Sequence, residues 1–142
     1  MRRLLTRLGG PAVAVMLTVG PARPAQAAGP AYFEFTDAGR RTAVVRIDDP
    51  GTIQHARDLL SGATDQQPHI FGRIVKSPAA YNPKWSFHYD PGTVHFFDVM
   101  VEVCDATTPF VEDHLDEAGG SFLPGLFWCP WTSRLTREVP AP

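Results

Sequence analysis

Residues 84–103 read KWSFHYDPGTVHFFDVMVEV, two stretches of strand-like alternation on either side of the tetrapeptide 90–93. Proline suits the second position of a tight turn and glycine the third, so 90–93 favours a chain reversal. The sequence therefore predicts a β-hairpin with strands at 84–89 and 94–103. The longer strand is apolar enough to be central in a sheet.

The predicted register gives this hairpin a candidate site. With the strands paired across the turn, His88 lies opposite His95, and Asp90 lies beside them. Cross-strand imidazoles whose Cβ atoms are about 5 Å apart can contact one transition-metal ion. The spacing supplies no third ligand, so the same pair fits a solvated sheet end, and no metal is assigned.

Outside the hairpin, strand-like and helix-like patterns follow each other without strict alternation. Strands are predicted at 32–35, 41–47 and 70–75, helices at 50–60 and 105–118, and irregular structure at 121–142. Asp49 can cap the first helix and Pro50 fits its first position. This order favours an α+β fold, a mainly antiparallel sheet of about five strands with two helices packed on it.

The first 27 residues predict a secretory signal peptide. Three arginines precede an apolar run at 8–20, and Ala25-Gln26-Ala27 offers the small residues that a signal peptidase requires. The run is too short to cross a bilayer, so no membrane anchor is expected. The sequence thus predicts a secreted protein in which residues 28–142 form a single α+β domain.

Removal of this leader leaves an acidic domain. Four of the 13 Lys and Arg leave with it and all 15 Asp and Glu remain, so nine cations against 15 carboxylates give a formal charge of −6. Nucleic acids and anionic membrane surfaces require a basic patch. The expected partner is therefore an unknown extracellular protein or small ligand, and not nucleic acid.

The two cysteines, Cys104 and Cys129, both belong to the predicted domain. An even count in an exported protein predicts one disulfide between them. A bridge across that separation stabilises a fold by about 3–4 kcal/mol in the chain-entropy model.

Residues 122–131 form the densest aromatic segment outside the predicted strands, with Trp128 and Trp131 flanking Cys129. Two interpretations stay open. The segment folds back and covers one face of the sheet, or it forms a disulfide-tethered loop that presents both tryptophans to a partner.

Four segments together resemble a known family: FGRIV at 71–75, NPKWSFH at 82–88, EVCD at 102–105 and FWCPW at 127–131. It is a family of small, often secreted domains named after the N-terminal part of an amoebal calmodulin-binding protein. The resemblance covers most of residues 31–137 and implies no catalytic motif. The family name implies calmodulin binding, whereas calmodulin targets are basic amphipathic helices and the second predicted helix here is acidic.

Two functions of different classes follow from these patterns. The first is a secreted, non-catalytic binding module without a cofactor, for example an inhibitor of an extracellular enzyme, with contacts from His88, Asp90, His95, Trp128 and Trp131. The alternative is a small secreted metal-dependent or hydrolytic enzyme that uses the His88/His95 end of the hairpin.

Overall fold

A computed structural model describes residues 29–100 and 103–142, so the predicted signal peptide lies outside the described residues. The described elements are β1 (Ala31–Thr36), β2 (Thr42–Ile47), α1 (Pro50–Ser61), β3 (His69–Val75), β4 (His88–Tyr89), β5 (His95–Phe97), α2 (Thr108–Asp113), β6 (Ala118–Gly119), β7 (Phe122–Pro124), β8 (Phe127–Trp128) and β9 (Arg134–Val139). A 3-10 helix at Pro91–Thr93 separates β4 from β5. This confirms the predicted α+β class.

One sheet consists of β2, β1 and β9 in that order, all antiparallel. Alternate residues of β1 point to opposite faces, and Phe33 and Phe35 face the core with at most 1% of their surface exposed. Val45 of β2 lies opposite Phe33 and is also fully buried. The alternation that predicted these two strands is the pattern of a sheet with one covered face.

The second sheet is built on β3, which pairs antiparallel with β4, β5 and β8. Ile70 and Ile74 are its buried residues, each at most 1% exposed. Gly72 lies where a Cβ would come within 2.9 Å of the Tyr89 ring, so glycine at this position allows β4 to approach. The core lies between this sheet and the first one.

Helix α1 begins and ends as the sequence predicts. Asp49 accepts a hydrogen bond from the Thr52 backbone nitrogen (2.7 Å), and Gly62 ends the helix in the left-handed conformation at φ 76°. Ile53 and Ala56 are its buried face. Within residues 29–100 and 103–142, no helix is both long enough and apolar enough to span a bilayer.

The predicted hairpin is wrong, because β4 and β5 pair with β3 and not with each other. His88 lies opposite Val75, and His95 lies opposite Phe71. The physical reason is the 3-10 helix between them, which inserts residues into a chain that continues along β3. Residues 84–87 lie outside any strand, and the predicted long strand is reduced to His95–Phe97.

The second helix is shorter than the predicted 105–118. It begins at Thr108 with Pro109 in its first turn, the place where a missing N–H is tolerated, so it does not extend back to residue 105. The prediction of irregular structure at 121–142 is also wrong, because β7, β8 and β9 lie there. The alternation of β9 is hidden because this strand is largely exposed and charged.

The disulfide between Cys104 and Cys129 is present, as predicted, with Cα atoms 5.1 Å apart. The Cys129 backbone nitrogen also donates to the Cys104 carbonyl oxygen (2.9 Å). Both residues are buried. The bridge fixes the end of β8 to the segment that leads into α2.

Candidate ligand-binding cleft

A concave site of about 460 Å³ lies between the β1–β2 turn, the loop before β4 and helix α2. We call it the cation cleft. Its lining consists of Arg40, Arg41, Thr42, Lys84, Trp85, Pro109, Glu112 and Asp113. Three of these residues are cations, two are carboxylates and two carry flat apolar rings.

The first wall is held in place by Asp37, whose carboxylate is buried. Its Oδ2 atom accepts hydrogen bonds from the Thr108 backbone nitrogen and hydroxyl, both at 2.6 Å, and its Oδ1 accepts one from the Gly39 nitrogen at 2.7 Å. A buried carboxylate with three donors is strongly anchored. The β1–β2 turn is thereby fixed to the start of α2.

The close contact between this turn and α2 determines which residue is glycine. A Cβ at Gly39 would lie 2.6 Å from Pro109 Cδ and 2.9 Å from Asp37 Oδ1, so no side chain fits there. The left-handed position of the turn is instead occupied by Arg40, at φ 56°. A residue with a Cβ costs about 1–2 kcal/mol in that conformation, and glycine would avoid the cost.

The second wall, the loop before β4, is bonded to both neighbours. Glu112 accepts from the Ser86 backbone nitrogen (2.9 Å, Oε2) and hydroxyl (2.6 Å, Oε1), which ties the loop to α2. The Trp85 indole nitrogen donates to the Thr42 carbonyl oxygen (3.0 Å), which ties it to β2. The half-buried indole therefore has a fixed orientation in the cleft.

The three cations of the cleft differ from the other six in the predicted domain. Arg46, Arg57 and Arg137 form ion pairs, Lys76 and Arg134 donate to backbone carbonyls, and Arg73 lies over the Phe127 ring. Among the described residues, Arg40, Arg41 and Lys84 have no hydrogen-bond, ion-pair or ring partner for their side chains. All three are exposed. An acidic domain thus collects its unpaired positive charge in one concave place.

The side chains predicted at the hairpin end have separate surroundings. His88 Nδ1 lies 2.6 Å from the Ser77 carbonyl oxygen. Asp90 Oδ1 accepts from the Gly92 nitrogen (3.2 Å) and so shapes the 3-10 helix. His88 and His95 lie opposite positions four residues apart on β3, a rise of about 13 Å, so their imidazoles do not share a metal or a proton.

His95 borders a different, smaller cleft of about 310 Å³, together with Asp49, His55 and Phe96. The Asp49 carboxylate already accepts from the backbone nitrogen and hydroxyl of Thr52, and these bonds lower its pKa. Within the described ranges, no group of three or more His, Cys, Asp or Glu side chains is arranged to hold a metal ion.

Trp128 and Trp131 belong to the body of the domain, as the first of the two interpretations predicted. Trp128 is 1% exposed, stacks on Tyr89 with ring centroids 4.9 Å apart, and donates from its indole to the Ala106 carbonyl oxygen (2.8 Å). Trp131 is half-buried with its ring edge-on to Phe97. Trp128 is therefore not presented to a partner in this conformation.

Sequence reasoning missed the cation cleft, although part of its signal is visible in the sequence. Asp37-Ala38-Gly39 was recognisable as turn chemistry, and adjacent Arg40 and Arg41 follow it in an otherwise acidic domain. The partner walls were not recognisable, because Thr108 lies 71 positions from Asp37 and Glu112 lies 26 from Ser86.

Comparison with known proteins places the chain in a family. Residues 29–142 match the sequence profile of the family named after the N-terminal domain of the amoebal calmodulin-binding protein, which confirms the resemblance found in the sequence. Searches of curated proteins and of solved structures gave no significant match. The match covers most of the chain, including every element described above, and this protein therefore belongs to that N-terminal domain family.

Proposed function

We propose that this protein is a secreted, non-catalytic binding module and that the cation cleft holds its ligand. The observation that carries the proposal is the set of unpaired cations, Arg40, Arg41 and Lys84, around the fixed indole of Trp85. Unpaired charges in a concave site attract a ligand of opposite charge, because the low-dielectric walls concentrate the field.

The size and rigidity of the cleft support this role. Its volume of about 460 Å³ falls within the range of about 300–1,000 Å³ that is typical of ligand sites. Hydrogen bonds from Asp37, Trp85 and Glu112 fix its walls to one another before any ligand arrives. A site that is organised in advance loses less conformational entropy on binding.

Secretion is part of the proposal. Its support is the pattern of residues 1–27 and the disulfide, a bond that persists in oxidising compartments. N-terminal sequencing of protein from the culture medium should give Ala28 as the first residue. Protein that stays in the cells with Met1 intact would contradict it.

The alternative, an enzyme that uses the hairpin end, loses its geometric basis because His88 and His95 lie apart along β3. Titration with zinc or copper should therefore show no stoichiometric binding that depends on both imidazoles. A one-to-one site that is abolished by His88→Ala and equally by His95→Ala would revive the metal enzyme.

The binding role is tested by capture from concentrated culture medium. Immobilised protein is compared with an Arg40→Gly/Arg41→Gln variant and with a control variant, Arg57→Gln/Lys76→Gln, which loses the same charge outside the cleft. We expect a component that elutes from the wild type and the control with salt and is absent from the cleft variant.

Two results would contradict the proposal. Equal retention by all three proteins would mean that the cleft is not the site. No retained component with the wild type, in media that contain the natural surroundings of the protein, would mean that it is not a binding module.

A further inference from the structure

We infer that the ligand of the cation cleft is an acidic saccharide, a sugar ring that carries a carboxylate. The inference rests on the proposed binding role and deepens it by assigning the ligand class. Each of the three chemical features of the lining (cations, carboxylates and flat rings) excludes some ligands, and an acidic sugar satisfies all three.

The cations require an acidic group. Arg40 and Arg41 each present a planar fork of N–H donors, the geometry that binds a carboxylate through two parallel hydrogen bonds. Lys84 adds a third charge from the opposite wall. A neutral sugar would leave these charges without partners, and a cationic ligand would be repelled by them.

The carboxylates require a ligand that also donates hydrogen bonds. Asp113 is exposed and lines the cleft, and Glu112 keeps acceptor capacity beyond its two bonds from Ser86. A bare polyanion such as phosphate or sulfate would face these like charges without any donor to offer. Ring hydroxyls supply the donors, and the acidic group of the same sugar remains directed to the arginines.

The two flat rings favour a sugar over a peptide. Trp85 and Pro109 are the two apolar members of a lining of eight residues, and the remaining six carry charged or hydroxyl side chains. The axial C–H groups of a pyranose form a flat apolar face that packs on an indole or proline ring, while its rim is polar. A peptide anchor instead needs an apolar recess for an aliphatic or aromatic side chain.

The backbone at Arg40 indicates that the charge itself is used. The chain tolerates an arginine in a left-handed conformation that glycine adopts without cost, and the guanidinium has no partner in the described part of the protein. Strained positions of this kind concentrate at ligand sites, where the side chain is needed in that place.

The experiment is calorimetric titration of the purified protein, with tryptophan fluorescence as a second readout. The probes are short oligomers of galacturonate, mannuronate and hyaluronate. Fully methyl-esterified oligogalacturonate serves as a neutral comparator that differs only in charge, and a short polyglutamate serves as an acidic polypeptide.

We expect at least one acidic oligosaccharide to bind, with the affinity falling as salt rises. Arg40→Gly and Lys84→Gln should each weaken binding about tenfold or more, the effect of losing one charge-assisted hydrogen bond. Where galacturonate is the ligand, its methyl ester should not bind. Arg57→Gln, which changes a cation outside the cleft, should leave the affinity unchanged.

Three outcomes would overturn the inference. They are binding of polyglutamate and of no saccharide, binding of the methyl ester as tightly as of the acid, and no binding of any acidic oligosaccharide. Each of them leaves the binding role standing if the capture experiment still yields a component that depends on Arg40 and Arg41. Failure of that capture, by contrast, counts against the binding role itself.

Discussion

Asp37 and Thr108 are 71 positions apart in the chain and are joined by two hydrogen bonds of 2.6 Å to one carboxylate oxygen. Both residues are buried. The pair joins the turn that carries Arg40 and Arg41 to the helix that carries Glu112 and Asp113. The shape of the cation cleft therefore depends on one buried carboxylate that does not itself line it.

Asp37→Asn should destabilise the protein by about 2 kcal/mol, because an amide has one acceptor oxygen and its NH₂ group must face the N–H of either Gly39 or Thr108. Urea unfolding followed by fluorescence measures the change. Asp113→Asn, which neutralises an exposed carboxylate on the same helix, serves as the control and should stay within about 0.5 kcal/mol. Equal stability of both variants would refute the anchoring role of Asp37.

Arg40→Gly should leave the free energy of unfolding unchanged or raise it by up to about 1 kcal/mol. The variant removes the strain of a left-handed residue, and the greater backbone freedom of glycine in the unfolded chain offsets part of that gain. Gln67→Gly is the matched control, since Gln67 is exposed and also has a positive φ, 48°, but lies outside the cation cleft.

Both variants should behave alike in urea, and Arg40→Gly alone should lose ligand binding. A clear loss of stability in Arg40→Gly alone would show that the arginine supports the fold, and the argument from its backbone conformation would fail.

The sequence predicted what local patterns control. Alternation located β1 and β2, and Asp49, Pro50 and Gly62 fixed the ends of α1, because each of these signals acts within a few residues. The pairing of β4 and β5 was mispredicted because Asp90-Pro91-Gly92-Thr93 suits a reversing turn as well as a 3-10 helix. The choice between them depends on β3, where the Asp90 nitrogen donates to the Arg73 carbonyl oxygen (2.8 Å).

The candidate cleft was not predictable for the same reason. Its walls come from three separated segments, and the bonds that assemble them involve ordinary Asp, Glu, Ser and Trp residues without a motif. The aromatic residues predicted as a contact surface were more useful to the core, since Trp128 packs against Phe35, Phe87 and Tyr89.

Trp128→Phe should cost about 2–4 kcal/mol, because it leaves a cavity among these rings and an unpaired Ala106 carbonyl oxygen. Trp131→Phe is the matched control. Its indole nitrogen is buried without a partner among the described residues, so its removal should cost less than about 1 kcal/mol. Thermal unfolding of the two variants measures the difference, and a larger loss in Trp131→Phe would contradict the assignment of Trp128 to the centre of the core.

Tyr81→Phe should stabilise the protein at high pH. The Tyr81 hydroxyl is buried without a partner within the described residues, and burial raises its pKa to about 12. The unfolded phenol ionises near its ordinary value of 10.0, so the wild type loses stability as the pH rises from about 10 towards 12, where only the unfolded chain releases this proton. Phenylalanine removes that loss, and at neutral pH it should leave stability unchanged or up to about 1 kcal/mol higher. Urea unfolding of both proteins between pH 8 and about 11 measures the gap, which should widen with pH; a constant gap would mean that the Tyr81 phenol ionises as readily in the folded protein as in the unfolded chain.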